Sequence, residues 1–520
     1  MESSPTFPMR VAAIDVGSNA IRFSAAEFID SQHWVDLEVQ RLPIRLGHQT
    51  FVTGNLDQRT MSATVEAMAT FRRSLDTLGI PRYRAVATSA VRESRNGGEL
   101  VSQIRRECGI QLETITGTEE ARLVWTAIRS RVDLGKDRWL SMDLGGGSLE
   151  ISLISEKGIH WTESHTMGTV RLLEDLGGGD VDPKHFRRLL GEYAGTLRIP
   201  DRIDQSTIKG VIATGGNIEA LAALAGCVPD ERGVSRLPMA ELRRLIKLLS
   251  RMPVAERIET LGLREDRADV ILPAAMIYGR VAGLGGADEI MVPHVGVKEG
   301  VLLDLIDDMS GPAVRANRLE QGALHGALAL GRRYQLDETH ARHVARLSLS
   351  LFDQLQALHG LGPDDRRILL VAAVLHDTGQ FISYRKHHKH SLYLVHNSDV
   401  PGISRDERPI AALVTRYHRR AEPKEEHYLY GELGEAERDR VKRLSAILRV
   451  ADALDREHLQ RVSKVLVRMG TDEVVLEVEG RGDLLLEHWA FSKKARMFTS
   501  VFGLEVRLEV RRPVLGPSVI

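Results

Sequence analysis

The residues best equipped for chemistry lie in Ser141-Met142-Asp143-Leu144-Gly145-Gly146-Gly147-Ser148-Leu149-Glu150, where an apolar run meets a carboxylate and then three glycines. Without side chains, Gly145, Gly146 and Gly147 let backbone N–H groups converge on an anion. Ser148 adds a hydroxyl donor. Asp143 and Glu150, at the two ends, are hard oxygen ligands suited to the Mg²⁺ that polyanionic phosphates carry with them. Alone, the triple glycine fits an ordinary hairpin with a glycine bulge equally well. A second copy of the device shifts that balance: residues 11–14 form another short apolar run, followed by Asp15, Gly17, Ser18 and Asn19 and then by Ile21-Arg22-Phe23. Laying Asp15 on Asp143 puts Gly17 on Gly145 and Arg22 on Glu150. Two halves on one plan would face their turns across a cleft, one offering Arg22 to phosphate oxygens and the other offering Glu150 to a metal or a water.

Each turn needs a strand on either side, and the sequence supplies them. Residues 139–142 read as a buried strand, and residues 149–154 alternate like its hairpin partner. An extended piece over 36–42 and a helix over 57–78 follow the first turn. Residues 86–88 read as a strand with Arg92 just beyond its C-terminal end, where open α/β sheets place ligand-binding groups, although a solvated arginine at a helix start is the plainer account. Thr114-Ile115 then leads into a helix whose first turn carries Glu119 and Glu120. Acidic residues are common there because the helix dipole favours them, which suffices for Glu119. Glu120 has Leu123, Val124 and Ala127 at three, four and seven residues beyond it, so it lies on the buried face. From residue 212 a strand runs into Gly215-Gly216-Asn217 and a helix with Ile218, Leu221 and Leu224 as its stripe, either an anion cradle or an ordinary tight turn. Arg267 and Asp269 are expected to pair, and Lys298 and Glu299 to begin the last helix of the second half.

The chain's 520 residues exceed one core, and a 43% hydrophobic content gives ample material for several. Its 70 basic and 71 acidic residues argue against a general nucleic-acid coat, so any polyanion site must be local. The two cysteines, Cys108 and Cys227, lack metal or redox spacing and read as packing residues. No apolar run approaches a membrane span and the start lacks a signal pattern, so a cytoplasmic enzyme without membrane or nucleic-acid partners is expected.

Beyond residues 309–312 the composition changes: of 19 histidines, 12 fall between His325 and His458. His343 lies in a helical pattern with Val344, Leu347 and Leu351; His376-Asp377 ends a buried helix over 368–375; Asp452 lies in a helix over 443–454. Imidazole and carboxylate ligands in this mixture suit Mn²⁺, Fe²⁺ or Zn²⁺, with His390 and His418 available for a second ion. Arg385, Lys386 and Lys389, and Arg416, Arg419, Arg420 and Lys424, could form a basic track. Residues 465–467, 474–478, 484–486 and 506–510 alternate as strands, and a helix is expected over 493–502.

These motifs carry a family resemblance. The paired turns resemble those of the actin-like, sugar-kinase and chaperone-ATPase superfamily, and in detail the chain is similar to the exopolyphosphatase/guanosine pentaphosphate phosphohydrolase family. The match continues through Ala87-Thr88-Ser89-Ala90-Val91-Arg92, Thr116-Gly117-Thr118-Glu119-Glu120-Ala121-Arg122, Ala213-Thr214-Gly215-Gly216-Asn217 and Gly296-Val297-Lys298-Glu299-Gly300, although Lys298 stands where arginine is expected. The order His343, His376-Asp377, Asp452 matches the ligand set of HD-type phosphohydrolases. The resemblance implies an α/β fold of two ribonuclease H-like (actin-like) halves flanking a cleft (1–127 and 128–310), an all-α HD-type domain (311–462) and a small α+β cap (463–520). It implies Glu120 as general base, Arg92 beside Arg22 on the phosphate path, Mg²⁺ on Asp143 and Glu150, and a homodimer. The expected function is release of terminal phosphate from inorganic polyphosphate, with guanosine pentaphosphate as the alternative substrate. An ATP-driven shape-changing module and an HD nucleotide phosphohydrolase are the readings from other classes.

Overall fold

The aspartate–glycine turns each join the first two strands of a separate sheet. In the computed structural model, which describes residues 7–31, 33–177, 183–201, 203–309, 312–419 and 421–511, the chain divides into two compact units, Met1–Arg315 and Ala316–Ile520. The first unit holds a five-stranded sheet of β1 (Met9–Val16), β2 (Ile21–Phe28), β3 (Trp34–Leu42), β4 (Arg82–Ala87) and β5 (Leu112–Thr114), in the order β3-β2-β1-β4-β5. It also holds a six-stranded sheet of β6 (Arg138–Leu144), β7 (Leu149–Ser155), β8 (Gly158–His165), β9 (Ile208–Thr214), β10 (Ser235–Pro238) and β11 (Glu289–Val292), in the order β10-β11-β9-β6-β7-β8. Removing β10 makes the two orders identical, with an antiparallel three-strand meander followed by parallel additions. The duplication read from the sequence is therefore a duplication of fold. Its register agrees residue by residue: Asp15 pairs with Arg22 across the first turn, and Asp143 with Glu150 across the second.

Period-two burial makes these strands: along β1 and β2, Ile14, Val16, Ile21 and Phe23 point to one face, while Val11, Ala13, Ala26 and Phe28 point to the other. The first face packs on the helices Gln58–Thr77 and Gly97–Cys108, which contribute Met68, Phe71, Leu75, Leu100 and Ile104. The second packs on Gly117–Arg131 and Val297–Met309, and the same layer receives Ile154, Ile159 and Ile212 from the six-stranded sheet. The helix that carries Glu120 is thus held between both sheets. Leu123 and Ile128, fully buried on it, each contribute about 1.5–3 kcal/mol by leaving water. The division drawn at 127/128 falls inside this helix. Gly300 lets the two layer helices touch, since a Cβ there would meet the Leu123 carbonyl oxygen at 2.1 Å.

In the second unit the helices Glu338–Gln354, Pro363–Leu375, Glu407–Arg416 and Glu435–Ala453 surround one apolar core. The strands β12 (Val462–Met469), β13 (Glu473–Gly480) and β14 (Glu505–Arg511) form a three-stranded sheet, and Val465, Val474, Leu476 and Val478 enter that same core. The strand expected over 484–486 is absent: Leu485 begins the helix Leu485–Lys494, and the helix expected over 493–502 is split, with Arg496–Phe502 as its second piece. Three adjacent leucines carry no period; burial follows Leu484, Glu487 and Phe491 at helical spacing, leaving Leu485 and Leu486 exposed. Cys108 is buried and Cys227 half-buried, both free. Among the described residues no helix is long and apolar enough to cross a membrane.

Candidate active site

Two strands and one helix bring Glu120, Asp143 and Glu150 together, with carboxylate oxygens of all three within 4.8 Å of one another and each side chain buried. Thr116 caps the helix by accepting from the Glu119 backbone N–H, which sets the first turn. Glu119 is drawn into an ion-pair network with Arg122 and Arg84, so only Glu120 faces the carboxylates. Asp143, near the end of β6, accepts from the Thr214 hydroxyl at 2.6 Å, and Glu150, in β7, accepts from the Ser164 hydroxyl at 2.8 Å. One oxygen of Glu120 and one of Glu150 accept no hydrogen bond; the nearest cation to that Glu120 oxygen is the Arg92 guanidinium, at 3.6 Å. Burial and then Glu150 push Glu120 well above the carboxylate range, and burial and then Asp143 raise Glu150 to about 7. Uncompensated buried carboxylates of this kind fit a divalent cation, which would satisfy the orphaned oxygens and cancel the repulsion.

Glu120 and Asp143, but not Glu150, open onto a cavity of about 390 Å³ lined by the two turns, including Gly17, Ser18, Asn19, Gly145, Gly146 and Ser148, and by Gly215, Gly216 and Asn217. Its volume falls within the range of small-molecule sites. Arg22, Arg41, Arg264, Arg267 and Lys298 supply positive charge. Arg22 reaches its place because the first turn's register sets it opposite Asp15, to which it donates at 3.0 Å. The expected Arg267–Asp269 pair is not formed: Asp269 binds Arg45 and Asp266 binds Arg41, while the Arg267 guanidinium lies against the Gly216 carbonyl, pushed down to about 10 by burial and by Arg264. Arg92 does not line the cavity beside Arg22, as the resemblance implied. It donates to the Ile115 carbonyl and faces Glu120, because the short helix Ser89–Glu93 turns it toward the helix Gly117–Arg131. Gly147 also lies off the cavity, at the contact between the two turns, where a Cβ would come within 2.3 Å of both Phe51 and the Ser89 hydroxyl. Arg41, Arg264 and Glu219 went unremarked in the sequence, since none sits in a motif.

Residues 29–309 match the model of the Ppx/GppA phosphatase family, and residues 325–490 match that of its domain III. The chain belongs to the Ppx/GppA phosphatase family. Members of this family are phosphoanhydride hydrolases, in general dependent on a divalent metal. This phosphatase is similar to exopolyphosphatase 1 of Mycobacterium tuberculosis, 26% identical over 324 residues that span 61% of this chain and 93% of the relative. It is also similar to the guanosine-5′-triphosphate,3′-diphosphate pyrophosphatase of Aliivibrio fischeri, 25% identical over 423 residues that span 81% of this chain and 82% of the relative. A crystal structure of an exopolyphosphatase from Cytophaga hutchinsonii superposes with a TM-score of 0.54 at 26% identity, covering 57% of this chain and 98% of that one.

In its second unit the phosphatase gathers histidines around two aspartates, but not all those expected. His340 takes the place assigned to His343: its Nε2 lies 3.3 Å from His376 Nε2 and 3.8 Å from Asp452 Oδ1. His343 is one turn further along the helix, beside Arg346, outside the cluster. His387 takes the place assigned to His390, with its Nε2 at 3.1 Å from Asp377 Oδ1, while His418 Nε2 stands 3.4 Å from the same oxygen. Burial pushes His376 down to about 4, so it is a neutral imidazole. Of the residues considered for a basic track, Arg385, Lys386, Lys389 and Lys424 are exposed, Arg416 and Arg419 are half-buried, and Arg420 lies outside the described residues.

Proposed function

We propose that this Ppx/GppA phosphatase is a Mg²⁺-dependent exopolyphosphatase, releasing terminal orthophosphate from inorganic polyphosphate. The observation that carries the reading is the buried Glu120–Asp143–Glu150 trio, with its unpartnered oxygens, at the end of an arginine-lined cavity. Asp143 and Glu150 would hold Mg²⁺, which when bound supplies positive charge to the phosphate oxygens. Arg22, Arg267 and Lys298 neutralise the phosphates further out, and the turn backbones position the terminal group. Glu120 takes a proton from the attacking water, and burial and Glu150 raise its affinity for that proton above that of an ordinary carboxylate. The bond from water oxygen to phosphorus forms, the anhydride bond breaks, and its electron pair leaves on the shortened chain.

Guanosine pentaphosphate is the second reading, favoured by the longer stretch shared with the Aliivibrio pyrophosphatase, which extends into the helical unit. Its terminal phosphate would meet the same cavity. A divalent Mn²⁺, Fe²⁺ or Zn²⁺ is assigned to the histidine cluster of the second unit, and the enzyme is read as a cytoplasmic homodimer. Phosphate release from long-chain polyphosphate, guanosine pentaphosphate and ATP, measured in parallel on the purified chain with Mg²⁺, tests the assignment. Preferential turnover of polyphosphate is expected; turnover of ATP alone would overturn it.

A further inference from the structure

The sheet of the second unit ends in a strand whose outer side is unpaired and whose charges are their own complement. From Glu505 to Arg511, β14 reads Glu-Val-Arg-Leu-Glu-Val-Arg, and its ladder, among the described residues, runs only along β13, in parallel register. The Glu505 N–H bonds inward, to the Asp472 carbonyl at 3.2 Å. The N–H and C=O of one residue point to the same side of a strand, and the side alternates along it. Glu505, Arg507, Glu509 and Arg511 therefore bond toward β13, while Val506, Leu508 and Val510 turn their backbone groups outward. An outward row of this kind is a template for another strand.

The side chains alternate in step. The four charged residues stand exposed on one face; Val506 and Leu508 lie half-buried against the helical core on the other, and beside them Val510 is exposed. The two inner charges have partners within the sheet: Arg507 donates to Glu473 at 3.2 Å, and Glu509 accepts from Arg468 at 3.0 Å. The two outer ones do not. Glu505 takes part in no ion pair among the described residues, and Arg511 comes only within 3.9 Å of Glu477.

An antiparallel copy of β14, laid along the outer edge with the twofold axis through Leu508, answers each of these features. Leu508 faces the partner's Leu508 and Val506 faces the partner's Val510, so the outward backbone groups exchange about six hydrogen bonds and the exposed valine is covered. Glu505 faces the partner's Arg511, and Arg507 faces the partner's Glu509, in the non-hydrogen-bonded positions where side chains come closest. Every charge on the strand meets its opposite. Moving the axis to Arg507 sets Glu505 against the partner's Glu509; moving it to Glu509 sets Arg507 against the partner's Arg511. A slip by a single residue opposes charged positions to apolar ones. An edge charged only to keep neighbours away carries one sign, as the far edge of the same sheet does: the charges of β12 are Lys464 and Arg468.

We propose that this phosphatase dimerises through β14, paired antiparallel about Leu508 so that two three-stranded sheets become one. The occupant is a second copy of this chain, because the charge sequence is complementary to itself. The inference rests on the homodimer reading, to which it gives a surface, and is independent of the polyphosphate reading. One strand pair is a small interface for specific association, so a dimer in the micromolar range, weakened by salt, is expected.

Sedimentation equilibrium of the full chain over a concentration series reads the dimer. Arg507→Glu with Arg511→Glu makes the edge wholly acidic, and Glu505→Arg with Glu509→Arg makes it wholly basic. Each variant alone should raise the dimer Kd about tenfold or more. An equimolar mixture of the two should associate as tightly as the unsubstituted chain, because every facing pair is again opposite in sign. Leu508→Cys should give an interchain disulfide at that position on mild oxidation, since facing residues of a hydrogen-bonded pair lie about 5.5 Å apart at Cα, and the bridge should be lost when the acidic edge is added. If the acidic edge fails to fold beside Glu473 and Glu477, the basic variant and the disulfide in the otherwise unsubstituted chain carry the test. A dimer that the charge variants do not weaken, or that yields no bridge from Leu508→Cys, overturns this surface and leaves the homodimer reading standing. A chain that is monomeric at every concentration overturns both.

Discussion

Replacing Glu150 with glutamine should stabilise the metal-free enzyme while disabling it. The Glu150 carboxyl is raised from 4.5 to about 7, first by burial and next by Asp143. Below pH 4.5 the group is protonated in both folded and unfolded chains and costs nothing. Between 4.5 and about 7 the folded state keeps a proton that the unfolded state has released, so stability falls with rising pH by about 1.4 kcal/mol per pH unit. The loss is complete above the folded value and amounts to about 3 kcal/mol, an upper bound because Glu120 and Asp143 share the same repulsion. Glutamine keeps the shape and can still accept from Ser164, but it carries no charge. In chelator-treated protein at pH 8, Glu150→Gln should therefore unfold several degrees higher than wild type, about 5 °C for a unit of this size, with the gap closing near pH 4.5. Saturating Mg²⁺ should reverse the order, since binding to the folded site stabilises only the chain that retains the ligand. Calorimetry at pH 4.5, 6 and 8, with and without Mg²⁺, measures each arm. Equal destabilisation by Glu150→Gln at every pH would show that Glu150 is a packing residue with no buried charge to relieve.

Other perturbations separate the roles within the site. Glu120→Gln should lower polyphosphate turnover by roughly a hundredfold or more at saturating Mg²⁺ with folding intact, the usual size of a general-base contribution, as read by steady-state phosphate release. Asp143→Asn should instead raise the Mg²⁺ concentration needed for half-maximal rate, because it removes a ligand charge and not the base. Gly147→Ala should disrupt the contact between the two turns and lower thermal stability by a few degrees, since its Cβ has no room beside Phe51 and Ser89; scanning calorimetry checks it. Charge reversal at Arg385, Lys386 and Lys389 should weaken affinity for long polyphosphate far more than for short chains, in a salt-dependent way, if those exposed cations carry the polymer.

The paired turns were legible because their chemistry is local. An aspartate, a glycine two residues on and a charged residue seven positions after the aspartate are fixed by one hairpin, so matching spacings at 15–22 and 143–150 translate directly into matching strand registers. Glu120 was legible for a related reason: the helical spacing of Leu123, Val124 and Ala127 fixes the face it shares. The cationic wall was not. Arg41 lies on β3, and Arg264 and Arg267 lie in and just before a four-residue helix more than two hundred residues later; which arginine pairs and which stays available is decided only when Asp266 meets Arg41 and Asp269 meets Arg45. Sequence adjacency suggested an Arg267–Asp269 pair, and tertiary contacts chose other partners for the aspartates.

The histidines show the same limit at finer grain. His340 and His343 are three residues apart, so both fall on one flank of the helix Glu338–Gln354, and both are buried. Periodicity places the pair on the core side without saying which of the two meets the ligands of neighbouring helices. That depends on where along the helix the neighbours cross it. His376 ends Pro363–Leu375 and Asp452 lies near the end of Glu435–Ala453, so the carboxylates collect toward one end of the unit, level with the first turn of Glu338–Gln354, where His340 stands. Asp337 caps that turn by accepting from the His340 backbone N–H, fixing its start, and Asp455 then captures the ring. His343, nearly a turn further in, has already passed the carboxylates and meets Arg346 instead. The same reasoning exchanges His390 for His387: Lys386, at a positive φ, begins the helix His387–His396, and its first residue faces Asp377. In both cases the residue that faces the aspartates is the one nearer the helix start, a position set by the chain's entry into the helix and not by its apolar stripe.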